Sequence, residues 1–142
     1  METMASSLAK HRYLVLVATG AQLDSGAGVN AYVRRRALER CGEVGLGRLQ
    51  PVVKVYDART RVCVLRVRWA AANHVPQLLG GAARVVARCG SARTCRPRAL
   101  ALLRARDAAA GPAAAAARGG GAGRDAAGAL EKAEAAIRAM GT

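Results

Sequence analysis

The chain has no phenylalanine, one tryptophan and three tyrosines, so aromatic side chains make up only 3% of its 142 residues. Proteins that read RNA on an open sheet stack bases on aromatics there, and this sequence is too poor in them for that mode. Carboxylates are also scarce. Between residues 10 and 106 they are Asp24, Glu39, Glu43 and Asp57 alone, which supplies little for paired acid and base chemistry or for a multi-carboxylate metal site. The four cysteines, at 41, 63, 89 and 95, form no CxxC pair, whereas a zinc ribbon needs two close pairs to clamp a tetrahedral ion. Three of them fall where a strand or helix should be buried, as small apolar side chains. The two histidines, His11 and His74, have no obvious nucleophile beside them. His11, between Lys10 and Arg12, is expected to hold a neutral ring or to meet an anion. Apolar runs such as "LVLVA" from Leu14 fall far short of the roughly 18 residues of a membrane helix. Residues 1 to 9 lack a leader's charged start and apolar stretch. The expectation is a soluble protein of a reducing, intracellular compartment, away from membranes, with no protein-based active site, no metal and no cofactor of its own.

What the chain does have is positive charge. Its 23 Lys and Arg against 9 Asp and Glu give a formal +14, and 20 of the 23 are arginine. The excess lies within residues 10 to 106, which hold 19 basic and 4 acidic side chains. Such an imbalance points to a polyanionic partner, most commonly nucleic acid. Arginine's planar fork suits phosphate, although the Ala, Arg and Gly bias of the whole chain accounts for part of that preference. The bias does not account for the net charge.

Hydrophobic periodicity divides the chain into alternating elements. "HRYLVLVAT" (11 to 19) reads as a strand, with Tyr13, Val15 and Val17 on one face. After a loop whose Asp24 or Ser25 can cap, "VNAYVRRRALERC" reads as a helix with Val29, Val33 and Ala37 inward and Gly42 as its stop. "GAGVN" (26 to 30) could offer amides to a phosphate, but it lacks the P-loop lysine and the GxGxxG pattern and is read as a flexible turn. Residues 49 to 69 form a hairpin of two strands about an "ARTR" turn. Cys63, Leu65, Val67 and Trp69 should then face the core, with Arg66 and Arg68 on a wet, basic face. "AAANHVPQLL" reads as a short helix ended by Gly80 and Gly81, "ARVVARC" as a fourth strand, and "TCRPRALALLRAR" as a helix with Ala99, Leu100 and Leu103 inward.

The order strand, helix, strand, strand, helix, strand, helix predicts an α+β, ferredoxin-like (RRM-like) βαββαβ sandwich with an added C-terminal helix. The domain spans 10 to 106. Residues 107 to 128 read as a mobile, low-complexity Ala/Gly linker, and 129 to 140 as a weak surface helix bringing Leu130, Ile137 and Met140 together. With stacking on the sheet disfavoured, arginine contact with phosphate remains. Its candidates are Arg34, Arg35 and Arg36, then Arg66 and Arg68, then Arg93, Arg96 and Arg98; a solvated face is the competing reading of each group.

Two short stretches carry a resemblance. "KHRYL" (10 to 14) opens the first strand, and "GSARTC" (90 to 95) joins the fourth strand to the third helix. Together, over about residues 10 to 105, they resemble a small protein subunit of ribonuclease P and ribonuclease MRP, the processing-of-precursor subunit five family. Ala92 stands where that family usually has a β-branched residue, and Ser91 where it commonly has Thr. "GVNA" (28 to 31) and "GEV" (42 to 44) are similar to the fourteen-kilodalton paralogue of the same complexes, which stays open as an alternative, as do a ribosomal RNA-binding or assembly protein and a small anion-binding enzyme.

The resemblance implies a non-catalytic subunit of a ribonucleoprotein endoribonuclease in the nucleus and nucleolus. It would bind the catalytic RNA beside a TIM-barrel-like protein subunit and support removal of the 5′ leader from precursor tRNA. The RNA and its Mg²⁺ would cleave the bond, and precursor tRNA would be met indirectly. Lys10 and Arg12 would form one RNA contact area. "CGSARTCRPR" would form another: Gly90 permits a tight turn, Ser91, Thr94 and backbone amides meet phosphate at a helix start, Arg93, Arg96 and Arg98 neutralise it, and Cys89 and Cys95 pack.

Overall fold

The computed structural model describes residues 10 to 118 and 122 to 140 and is α+β, with a four-stranded antiparallel sheet and four helices. The strands are β1 (His11–Ala18), β2 (Val52–Asp57), β3 (Val62–Arg68) and β4 (Ala83–Cys89). The helices are α1 (Gly26–Leu49), α2 (Val75–Leu79, after a 3₁₀ segment Trp69–His74), α3 (Ala92–Arg118) and α4 (Ala122–Ala139). The strand order is β2-β3-β1-β4, which puts the two most apolar strands at the centre. This arrangement is compatible with the expected ferredoxin-like fold.

Alternation along the strands builds two cores. On the first face, Leu14, Leu16, Cys63, Leu65 and Val67 pack under Val29, Val33 and Ala37 of α1 and under Leu78 and Leu79 of α2. Ser25 caps α1 by accepting from the Gly28 amide at 3.0 Å. The "GAGVN" segment is therefore helix rather than a flexible turn, and its Gly28 amide is already used. The expected stop at Gly42 is a break: its φ of 70° interrupts the helix, which resumes and ends at Gln50 in left-handed conformation. Glycine adopts that angle without the clash a Cβ would cause.

The second face is where the sequence reading needs correction. Rather than lying open, it is largely covered: Val15, Val55, Val62, Val64 and Cys89 pack against Cys95, Ala99 and Leu103 of α3 and against Ala133, Ile137 and Met140 at the C-terminal end of the chain. The C-terminal helix is thus part of the fold and not a surface helix. α4 runs antiparallel to α3, since Arg104 Nη2 lies 2.7 Å from Glu134 and Arg96 Nε donates to the Met140 carbonyl at 2.9 Å. Of the stretch 107 to 128, residues 107 to 118 continue α3 and 122 to 128 open α4. Alanine's high helix propensity favours that extension; residues 119 to 121 lie outside those described. No helix among the described residues is long and apolar enough to cross a membrane.

Candidate nucleic-acid interface

At the start of β1 the sheet pairs His11 with Arg68, Arg12 with Val67 and Tyr13 with Arg66. Opposed residues share a face, so His11 lies beside Arg68, and Tyr13 beside Arg66, on the second face. At this end the face is basic, beyond the reach of the Val64 core; at the other end it carries the exposed Arg84, opposite Val17. Lys10 and Arg12 lie on the other face, where both approach the ring of Trp69, at 5.2 and 5.9 Å from its centroid. Arg66 Nε is buried with no hydrogen-bond partner among the described residues. Burial first, then Arg66 and Arg68, lower the His11 pKa from 6.5, which favours the neutral ring.

The β4–α3 corner reaches the same end. Gly90 has no positive φ, so the corner does not draw on glycine's left-handed freedom. A Cβ there would sit 3.3 Å from Arg12 Nη1, and glycine leaves room for the guanidinium against the corner. Ser91 caps α3, accepting from the Thr94 amide at 3.2 Å, while the two hydroxyls lie 3.1 Å apart and Thr94 Oγ1 donates to the Ser91 carbonyl. These hydroxyls serve the helix start rather than standing unengaged for phosphate. Arg93 and Arg98 are exposed, but Arg96 is held by the Met140 carbonyl at the end of α4, where a cation complements the helix dipole. Cys89 and Cys95 both lie in the second core. Burial, with Cys89 alongside, pushes the Cys95 thiol up to about 12, which disfavours the reactive thiolate.

Arg34 and Arg35 do not join this end. Arg35 reaches Gln22 at 3.5 Å, beyond the C-terminus of β1, stacks 5.5 Å from Tyr32 and approaches Glu39 at 3.9 Å; Arg34 is exposed nearby on α1. Arg36 donates to the Leu78 carbonyl, tying α1 to α2. The eight residues of β1 put about 25 Å between that region and Lys10. Trp69 is the residue at the basic end that sequence reading placed in the core. The strand stops at Arg68 and the chain turns into the 3₁₀ segment, leaving the indole 49% exposed.

The carboxylates that could hold a cation are dispersed: Asp24, Glu43 and Glu131 stand exposed and apart, and others are engaged. Asp57 accepts from the Thr60 amide and hydroxyl, Glu39 faces Arg35 and Arg36, and Glu134 faces Arg104 and Arg138. Among the described residues no three His, Cys, Asp or Glu gather as metal ligands. The site can neutralise an extended anion. Compared with known proteins, the chain matches no family model and no curated protein.

Proposed function

We propose that the protein is a non-catalytic RNA-binding subunit of a ribonuclease P type complex, with ribonuclease MRP as the alternative complex and the nucleus and nucleolus as its location. The observation that carries the RNA-binding part is the gathering at one end of the sheet of Lys10 and Arg12 on one face and Arg66 and Arg68 on the other. No carboxylate among the described residues is paired with any of the four. Like charges held together without acidic neighbours repel one another, and a phosphate backbone relieves that repulsion with release of its counterions.

The fold supports the same reading. With β1 and β3 central and β2 and β4 at the edges, the sheet is compatible with the ferredoxin-like βαββαβ sandwich this reading takes the domain to be. Because α3 and α4 cover much of the sheet, RNA would be met at the end of the strands and at the exposed Arg93 and Arg98. The assignment to ribonuclease P rests on "KHRYL" and "GSARTC", the two stretches that border this end. In that assignment bond cleavage and Mg²⁺ belong to the RNA, and a TIM-barrel-like protein subunit is the neighbour.

The test is to tag the protein in its own cells, recover it in moderate salt, sequence the bound RNA and assay the eluate on precursor tRNA. Enrichment of a ribonuclease P or MRP RNA with cleavage of the 5′ leader is expected. Recovery of ribosomal RNA without cleavage would redirect the proposal to ribosome assembly, and recovery of no RNA would overturn it.

A further inference from the structure

We propose that Trp69 is a stacking platform for one unpaired RNA base, with the phosphates flanking that base held by Lys10 and Arg12. The inference deepens the RNA-binding reading and rests on it. Single exposed apolar side chains are ordinary on protein surfaces; the surroundings of this one are not. Its backbone N–H donates to the Lys10 carbonyl at 3.1 Å, which fixes the ring's base to the start of β1. Lys10 Nζ and Arg12 Cζ lie 5.2 and 5.9 Å from the ring centroid, so two cations hold an indole that is still 49% exposed. Cation and ring attract through the ring quadrupole, and this contact orders the platform before any ligand arrives.

Beyond the indole the surface continues as a cleft of about 560 Å³. Arg68 and Ala70, the chain neighbours of Trp69, line it together with Ala71, His74 and Arg48. A volume of that size is in the range of small-ligand sites and can admit a nucleotide adjoining the stacked one. An exposed aromatic residue flanked by cations, beside a cleft whose lining includes Arg48 and Arg68, suits the binding of single strands with little sequence preference, because every base has a π face. A duplex keeps its bases stacked on one another and cannot offer one to the ring. The unpaired strand is therefore the partner this corner selects.

Trp69 is the chain's only tryptophan, so intrinsic emission reports on this position alone. The full chain is titrated with a ten-nucleotide oligouridylate and, separately, with a ten-base-pair RNA duplex, over a series of salt concentrations. The single strand is expected to quench the emission saturably, and the duplex to bind without comparable quenching. Trp69→Leu should weaken oligouridylate binding about tenfold or more, leaving the dependence of log affinity on log salt unchanged, while Trp69→Tyr should retain most of the affinity. Lys10→Ala should instead lower that slope by about 0.7.

Salt-dependent oligouridylate binding without quenching, matched by Trp69→Leu, overturns the stacking proposal and leaves the RNA-binding reading standing. Absence of binding even at low salt removes both. Should Trp69→Leu fail to fold, as judged by circular dichroism, the quenching of the native chain decides.

Discussion

At the Asp57 end of the sheet, Arg59 pairs with Asp107, Arg61 Nη2 donates to the Gly20 and Leu23 carbonyls at 2.6 and 3.1 Å, and Arg106 donates to the Thr60 carbonyl at 2.6 Å. Roughly 20 Å away along β3, Arg12, Arg66 and Arg68 have no such anchors; Arg12 reaches only the carbonyl of its neighbour His11, at 3.5 Å, and the ring of Trp69. One residue type thus does two jobs on one sheet. Arginines beside a loop whose carbonyls need donors become internal ties, and arginines at strand ends without acceptors remain available to an external anion. Charge density along the sequence does not separate the two groups, whereas the acceptors within reach do.

The largest expected effect concerns the layer that spans both ends. Ile137→Ala removes a fully buried side chain between α4 and the sheet and should cost about 2 to 5 kcal/mol, read by chemical denaturation. A change below about 0.5 kcal/mol would mean that α4 does not close the second face. Next, Arg61→Ala should cost about 2 kcal/mol, because the Gly20 and Leu23 carbonyls lose a charged donor. Position 61 has a φ of 63°, which either side chain must tolerate, so backbone strain is the same in both variants. RNA affinity should not change; a fall in affinity at full stability would erase the contrast between the ends.

At the other end, Lys10→Ala with Arg68→Ala should weaken RNA binding about tenfold or more, on the order of 1.4 kcal/mol, while the melting temperature stays within a few degrees. The smallest effect belongs to His11. Its pKa in the folded chain is lowered, whereas the unfolded chain takes up the proton near pH 6.5. The stability it contributes is full above about pH 6.5 and is lost as pH falls from there through the lowered folded value. His11→Gln should remove that part of the acid sensitivity in thermal melts at successive pH values; identical profiles would show that neither burial nor Arg66 and Arg68 lowers the pKa of the ring.

Much of this was legible in the sequence, for identifiable reasons. Val29, Val33 and Ala37 repeat at helical spacing over a sheet face of large residues, so α1 and the first core follow from periodicity. The second core was legible on its α3 side, where Cys89, Cys95, Ala99 and Leu103 read as inward, but not on its α4 side, where Ala133 follows a low-complexity stretch rich in the same residue. Nothing local distinguishes an alanine beneath Ile137 from one in a linker. Lys10, Arg12, Arg66 and Arg68 were legible because they lie at strand ends. Arg96 was not, since the Met140 carbonyl that holds it lies 44 residues away in the chain. Strand alternation placed Trp69 inward, and only the end of β3 at Arg68 exposes it.

The central claim is tested most directly by measuring RNA affinity against salt for the native chain, the Lys10→Ala, Arg68→Ala double variant and Arg61→Ala. A steep linear fall of log affinity with log salt is expected for the native chain, and an unchanged slope for Arg61→Ala. The double variant should give a slope shallower by about 1.4, roughly 0.7 for each single-strand phosphate that no longer meets a cation. A native slope near zero, or a slope for Arg61→Ala as shallow as that of the double variant, would contradict the claim.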